Sequence, residues 1–301
     1  MRSPINIVED LSVRRETVCI DGLACNMPGH ITYTGVFSMA KPIVLTSIAA
    51  NGVGTITLNR PKRNNAYNGE MILDLIACVE AFAADDAVRL LVIRGNGQHF
   101  QAGADLAWVQ GNRDKTWDEN LDISRNTTKA IQGLTTLLKP TVALVHGGCF
   151  GGGTGIASAC DIVIAAHDAI FSITEARWGL MAAPIYPQLI SRMGPGRTRR
   201  YSLTCERFSG DRALQIGLVD EVCTAGELDA TAAPIIDALL HCPPGAVASS
   251  KASILKYSNL YFSAVEQDDM ALPHATIRMQ DEAEEGLQSF LQKREPSWYT
   301  G

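Results

Sequence analysis

No run in this chain approaches the ~18 consecutive apolar residues that a membrane-spanning helix needs, so an integral membrane protein is not expected. Internal repeats, low-complexity tracts and blocks of like charge are missing as well, which excludes repeat architectures and charged interaction tails. A formal net charge of -6 argues against a nucleic-acid surface. The eight cysteines include no Cys-x-x-Cys pair, and the six histidines are scattered without ligand spacing, so no metal site is expected. Cys78, Cys149 and Cys160 lie in apolar or glycine-rich segments, which suits buried thiols in a reducing compartment and points to a cytoplasmic protein. Arg14 and Arg15 are followed by Glu16 and by no apolar stretch, so a signal peptide is not expected.

What is present is a chain of 301 residues, 46% of them hydrophobic, enough for a large core in one or two domains. Its most informative stretch is 141–161. Thr141 to Val145 is a β-branched, apolar run that reads as a buried strand, and a glycine-rich turn follows. From Gly151 the pattern becomes small and helical. The first amides of such a helix have no partner within it and carry the positive end of its dipole. Three glycines, Gly151 to Gly153, remove every Cβ that would hold a ligand off. Two readings stand open here: an oxygen-rich ligand against the turn, or a close-packed helix start with none.

The known glycine motifs narrow the choice. A phosphate loop needs a lysine after its last glycine, and none follows. The fingerprint Gly-x-Gly-x-x-Gly ends on Ile156 when begun at Gly151 and on Ser158 when begun at Gly153, and Gly-x-Ser-x-Gly is absent. A thioester or carbonyl oxygen that becomes an enolate, held by backbone N–H groups, remains. Cys149 beside the turn reads as a nucleophile or as small core filler; no basic partner is visible near it in sequence.

Several separated motifs then occur in one order. They are Leu58-Asn59-Arg60-Pro61 with Asn65-Ala66, Phe100-Gln-Ala-Gly-Ala-Asp105, and the glycine triplet followed by Cys160-Asp161-Ile-Val-Ile-Ala. Together they resemble the crotonase (enoyl-CoA hydratase/isomerase) superfamily from about Ile43 to Trp298. Val88–Gly95, Gly103–Trp108 and Arg200–Phe208 look closest to its methylglutaconyl-CoA and isohexenylglutaconyl-CoA hydratases. The resemblance implies an α/β fold in which strand, strand and helix units coil into a spiral core over 42–226. It also implies a helical C-terminal region over 227–301, assembly as homotrimers paired into hexamers, and an acyl-CoA thioester as partner with no separate cofactor. Residues 1–41 lie outside the resemblance; they are polar, aperiodic and broken by Pro4, Gly22, Pro28, Gly29 and Gly35, and read as a disordered extension or a misassigned start before Met39.

Taken in order, Val53–Asn59 reads as a strand, and Asn68 caps a helix to about Ala84. Val88–Arg94 is a second, nearly continuous apolar strand, and Asp105 is a candidate N-cap. Asp118–Leu138 is a helix, while Asp161–Ala166 and Ile170–Ile173 are strands. Pro184–Met193, Arg197–Leu203 and Asp211–Ile216 are short helices, Leu218–Val222 is the last strand, and helices follow over 227–241, 243–258, 262–279 and 280–293. Strands separated by helices at this repeat length pair in parallel.

The resemblance assigns roles residue by residue. Ala104 and Gly152 would give the two backbone donors to the thioester oxygen; Ala104 could instead be only packing. The linear-chain hydratases of the family use two glutamates. The first position is Gly155 here, and the second is Glu175. Glu175 is therefore the candidate acid–base residue, with a structural ion pair to Arg177 as the alternative. Arg63, Asn64, Ala66, Gln101, Ala102 and Asp105 are expected near the CoA moiety, with Gly151 in the turn. Phe290 and Lys293 match a pair that reaches the nucleotide end of CoA, or form an amphipathic helix end. Gly155 is expected to clear room for a 3-substituted acyl group, and Arg177 to attract a second substrate carboxylate. Three functions follow as expectations: a hydratase for a 3-substituted enoyl-CoA, an isomerase or other enolate enzyme, and a non-catalytic acyl-CoA binding protein.

Overall fold

The computed structural model describes residues 42–300, so the expectation for 1–41 lies outside the described residues. The main sheet begins with β1 (Val44–Ile48), antiparallel to β2 (Val53–Leu58). Then β3 (Leu90–Gly95), β4 (Thr141–Val145), β6 (Ile162–Ala166) and β9 (Glu221–Cys223) add in parallel, in the order β1-β2-β3-β4-β6-β9. A second sheet holds β5 (Gly148–Phe150), β7 (Ile170–Ser172) and β8 (Phe208–Ser209). After β4 the chain leaves the first sheet for β5, returns for β6, leaves again for β7 and β8, and comes back at β9. This alternation is the coiled spiral of the crotonase fold.

Period-two burial explains why the main sheet is covered on both faces. Leu91 and Ile93 of β3 join one core with α1 (Gly69–Ala84), while Leu90 and Val92 join a second with α7 (Leu228–His241). Each of these four is at least 96% buried, which contributes roughly 1.5–3 kcal/mol per side chain. Asn68 caps α1 by accepting from the Met71 N–H at 3.0 Å. Asp161, between α4 (Gly152–Ala159) and β6, accepts from Thr141 N and Oγ1 and from Lys251 Nζ at 2.7 Å, tying β4 to α8 (Pro244–Tyr257).

Some elements differ from expectation. The strand expected at Leu218–Val222 forms three residues later. Leu218 and Val219 instead donate to Ala213 O at the end of α6 (Gly210–Ile216), and only Glu221–Cys223 pair with β6. Strand β1 gives no alternating pattern because only Val44 is buried. The two short helices expected around Gly194 are the halves of α5 (Tyr186–Thr204). They break where Gly194 takes φ 76°, ψ 162°, and Pro195 opens the second half. From Leu228 the described chain is helical. It continues through α9 (Ala264–Arg278) and α10 (Asp281–Gln292), and α9 packs on α3 (Trp117–Thr136). No helix among the described residues is long and apolar enough to cross a membrane.

Candidate active site

Two loops build the site, and one buried amide pins each to the other. Asn65 is fully buried. Its Oδ1 accepts from Arg60 N at 2.8 Å, and its Nδ2 donates to the carbonyls of Asn96, His99 and Phe100 at 2.9, 2.8 and 3.2 Å. Gln101, also fully buried, folds back on its own loop: Oε1 accepts from Gly103 N at 2.7 Å and Nε2 donates to Gly103 O at 2.9 Å. Its main chain pairs with β5 through Gln101 N to Gly148 O and Phe150 N to Gln101 O. Ala104 is thereby held beside the glycine turn; a Cβ on Gly103 would lie 3.3 Å from Phe150 O.

The Ala104 N–H donates to no backbone carbonyl among the described residues, and Gly152, the first residue of α4, has no intrahelical acceptor. These two amides flank two adjacent cavities. Ala104 lines one and Gly152 the other, and Tyr67, Thr127, Glu175 and His274 line both. The Gly152 arm is narrow, about 40 Å³, and walled chiefly by apolar side chains such as Met71, Ile131, Ile156 and Ile185. The Ala104 arm carries Trp108, Leu180 and Arg278. The Tyr67 ring lies over Gly152, where a Cβ would come within 2.4 Å of Cε1. Burial raises the Tyr67 pKa, and the charge of Glu175 adds to it.

Glu175 opens the 3-10 turn Glu175–Trp178 just after β7. Gly151, at φ 49°, ψ -119°, leaves the space its carboxylate fills; a Cβ there would stand 2.7 Å from Oε1. Among the described residues Oε2 is sealed from solvent and accepts no hydrogen bond. Burial pushes its pKa up to about 7 against the amides of Glu175 and Thr174, which pull it down. The group therefore exchanges a proton near neutrality, as a general base and acid must. Among the described residues no Arg177–Glu175 ion pair forms.

Other expected site residues sit elsewhere. Arg177 is exposed and lines a separate surface cleft with Phe290, Lys293 and Trp298, so it does not face the cavity of Glu175 and cannot draw an acyl carboxylate there. Phe290 packs edge-on against Trp178, with ring centroids 4.9 Å apart, and Lys293 caps α10 in the left-handed region. Gly155 opens no room for a substrate branch: a Cβ there would lie 2.2 Å from Ile185 Cγ2, so Ile185 occupies that volume. Gln101 is buried and stiffens the Ala104 loop, so its side chain is not free to meet CoA. Asp105 is the residue before α2 (Leu106–Gly111) but caps nothing with its side chain, which pairs with Arg60 at 3.1 Å. Arg63 and Asn64 are exposed on the loop before Asn65; Ala66 is buried and its carbonyl accepts from Arg60 Nη1, while Ala102 donates its N–H to Asn64 O at 3.0 Å. Cys149 is fully buried, and burial drives its thiol pKa well up, which fits core filler and not a nucleophile.

Tyr67, Trp108, Ile185, His274 and Arg278 are site residues that the sequence did not single out. The signal for Arg278 was a stripe on α9: Ala271, Ala275 and Arg278 are spaced i, i+4, i+7, and all three are buried.

A sequence model of the enoyl-CoA hydratase/isomerase family matches residues 49–301. The chain is 32% identical over 251 residues to crotonyl-CoA hydratase of Syntrophomonas wolfei, covering 82% of this chain and 94% of that protein. It is 28% identical over 246 residues to 2,3-dehydroadipyl-CoA hydratase of Escherichia coli, covering 81% and 93%. The solved structure of AtuE from Pseudomonas aeruginosa superposes with a TM-score of 0.70 at 35% identity, covering 85% of this chain and 99% of that one.

Proposed function

The chain belongs to the enoyl-CoA hydratase/isomerase family, and from that premise we propose that it adds water across the double bond of a 3-substituted enoyl-CoA of the glutaconyl type. The observation that carries the proposal is the lone carboxylate of Glu175, unpartnered at Oε2 and poised at about 7, between two free amides. At the family's other acid position stands Gly155, and Ile185 fills the space. One group must then handle both protons.

The atoms balance with Glu175 alone. Its carboxylate takes a proton from water as the water oxygen attacks Cβ. The double-bond electrons move onto the thioester, and the resulting enolate oxygen is held by the Ala104 and Gly152 N–H groups. The enolate collapses, and Cα takes the proton from the Glu175 carboxyl. Each such amide donor is worth about 3–4 kcal/mol in the transition state of comparable sites. The CoA moiety is part of the substrate and no further cofactor enters these steps. Dehydroadipyl-CoA, the substrate in the name of one relative, is likewise a dicarboxylic acyl group.

A double-bond isomerase is the second reading, favoured by the same observation: one carboxylate can lift a proton from one carbon and return it to another. Purified protein incubated with crotonyl-CoA, 3-methylcrotonyl-CoA, 3-methylglutaconyl-CoA and the 3-enoyl thioester 3-hexenoyl-CoA separates the two. The hydratase reading expects a product one water heavier, formed fastest from 3-methylglutaconyl-CoA. Consumption of a 3-enoyl thioester with no gain of water would make it an isomerase, and binding without turnover of any thioester would make it a binding protein.

A further inference from the structure

Arg278 is an arginine without a counter-ion in the wall of the cavity that holds Glu175. It is 3% exposed, and among the described residues no Asp or Glu side chain pairs with it. Its Nη2 donates to Asn120 O at 2.7 Å and to Ser124 Oγ at 2.9 Å. Among the described residues its Nε is sealed from solvent and has no acceptor, and Nη1 makes no hydrogen bond. Burying a guanidinium without an opposite charge is costly. Burial weakens the hold of Arg278 on its proton. The neighbouring His274 supplies no charge either: burial and the Arg278 charge hold its pKa down at about 3, and its Nδ1 meets the same Ser124 Oγ at 2.9 Å. Arg113 fixes the end of the helix by donating to Arg278 O at 2.8 Å.

The shape of the site says where an anion would come from. Two arms meet at Glu175, one apolar past Ile131 and Ile185, the other bearing Arg278. A 3-substituted enoyl thioester has two substituents on the carbon that water attacks. We infer that the arms divide them: a hydrocarbon substituent lies in the apolar arm, and Arg278 receives a carboxylate on the other. This assignment rests on the proposed use of the adjacent cavities as the acyl site. Arg278 fixes which acyl group is accepted and which face of Cβ meets Glu175. Bidentate arginine–carboxylate recognition suits a planar anion held in one orientation.

The test uses two saturated thioesters that differ only in the distal carboxylate, 3-methylglutaryl-CoA and isovaleryl-CoA, with binding measured by calorimetry on the full chain. Wild type is expected to bind 3-methylglutaryl-CoA on the order of a hundredfold more tightly, as for a buried charge pair. Arg278→Met should erase that preference, weakening 3-methylglutaryl-CoA far more than isovaleryl-CoA, and Arg278→Lys should keep part of it. Because Arg278→Met also removes the contacts to Asn120 and Ser124, its melting temperature is read alongside. If it does not fold, the wild-type preference and its reduction in Arg278→Lys decide the matter. Equal affinity of wild type for the two thioesters, or equal loss on both in a folded variant, overturns the assignment. Saturated ligands keep this separate from the chemistry: a protein that prefers 3-methylglutaryl-CoA through Arg278 but hydrates no enoyl-CoA sinks the hydratase reading and leaves the carboxylate receptor standing.

Discussion

Gly151 and Glu175 share one piece of space: the position a Gly151 Cβ would take is 2.7 Å from Glu175 Oε1 and 3.1 Å from Thr174 Oγ1. The backbone at Gly151, with φ 49°, strains any side chain besides. The glycine turn thus has two duties, to offer the amide of Gly152 and to seat the carboxylate. Gly151→Ala is expected to move the carboxylate and lower kcat by about a hundredfold, a loss typical of a misplaced reacting group. Retained kcat would mean that the carboxylate has another seat.

Glu175→Gln keeps the size of the side chain and removes the base. Turnover is expected to fall by ~10²–10⁴, with binding of a saturated acyl-CoA kept. Near-normal turnover would take Glu175 out of the chemistry.

The pH profiles of activity and stability should move in opposite directions. On the hydratase reading Glu175 must be ionised, so kcat/KM is expected to fall below about pH 7. Stability has the reverse sign. Between 4.5, the ordinary value, and about 7 the folded protein binds a proton that the unfolded chain does not, so this group's contribution to stability falls as pH rises through that window. Thermal melts of Glu175→Gln against wild type check this. The variant should be the more stable above pH 7, with the difference shrinking below pH 5.

At Gly155 the obstacle is Ile185. Gly155→Ala is expected to destabilise by about 1–3 kcal/mol because its Cβ would meet Ile185 Cγ2. Adding Ile185→Ala should restore much of that, a coupling of roughly 0.5–3 kcal/mol in a double-mutant cycle from chemical denaturation. Additive effects would show that something other than Ile185 sets the need for glycine at 155.

Asn65 supports the loop that carries Ala104 without lining either cavity. Asn65→Ala leaves three carbonyls, that of Phe100 buried and those of Asn96 and His99 partly so, without this donor and is expected to cost about 2–4 kcal/mol. Asn65→Asp should cost more at pH 7, since it turns an acceptor toward those same three oxygens. Melting temperatures of the two variants, ranked in that order, are the check.

Those supporting contacts mark where sequence reading ends. Helix α1 was legible because Asn68 and the spacing of Ile72, Leu75, Ile76 and Val79 state it locally. Strand β4 was legible because Thr141–Val145 are buried on both faces. Glu175 and the two loops were legible because their motifs are contiguous. Strand β5, with three residues, has too short a pattern to read, and β1 buries only Val44. Arg177 looked like the anion partner because it is two residues from Glu175; the 3-10 turn points it to the other side. Arg278 lies about a hundred residues away on a helix that the sequence marked only by its range, and the fold of α9 onto α3 brings it inside.

The lone carboxylate of Glu175 has one more consequence, for isotope tracing. Among the described residues no second carboxylate lines either cavity. On the hydratase reading, the hydrogen that ends on Cα and the hydroxyl that ends on Cβ therefore add to the same face of the double bond. In heavy water each product molecule should carry one deuterium at Cα in the configuration that same-face addition gives, and deuterium in the opposite configuration would require a second proton donor.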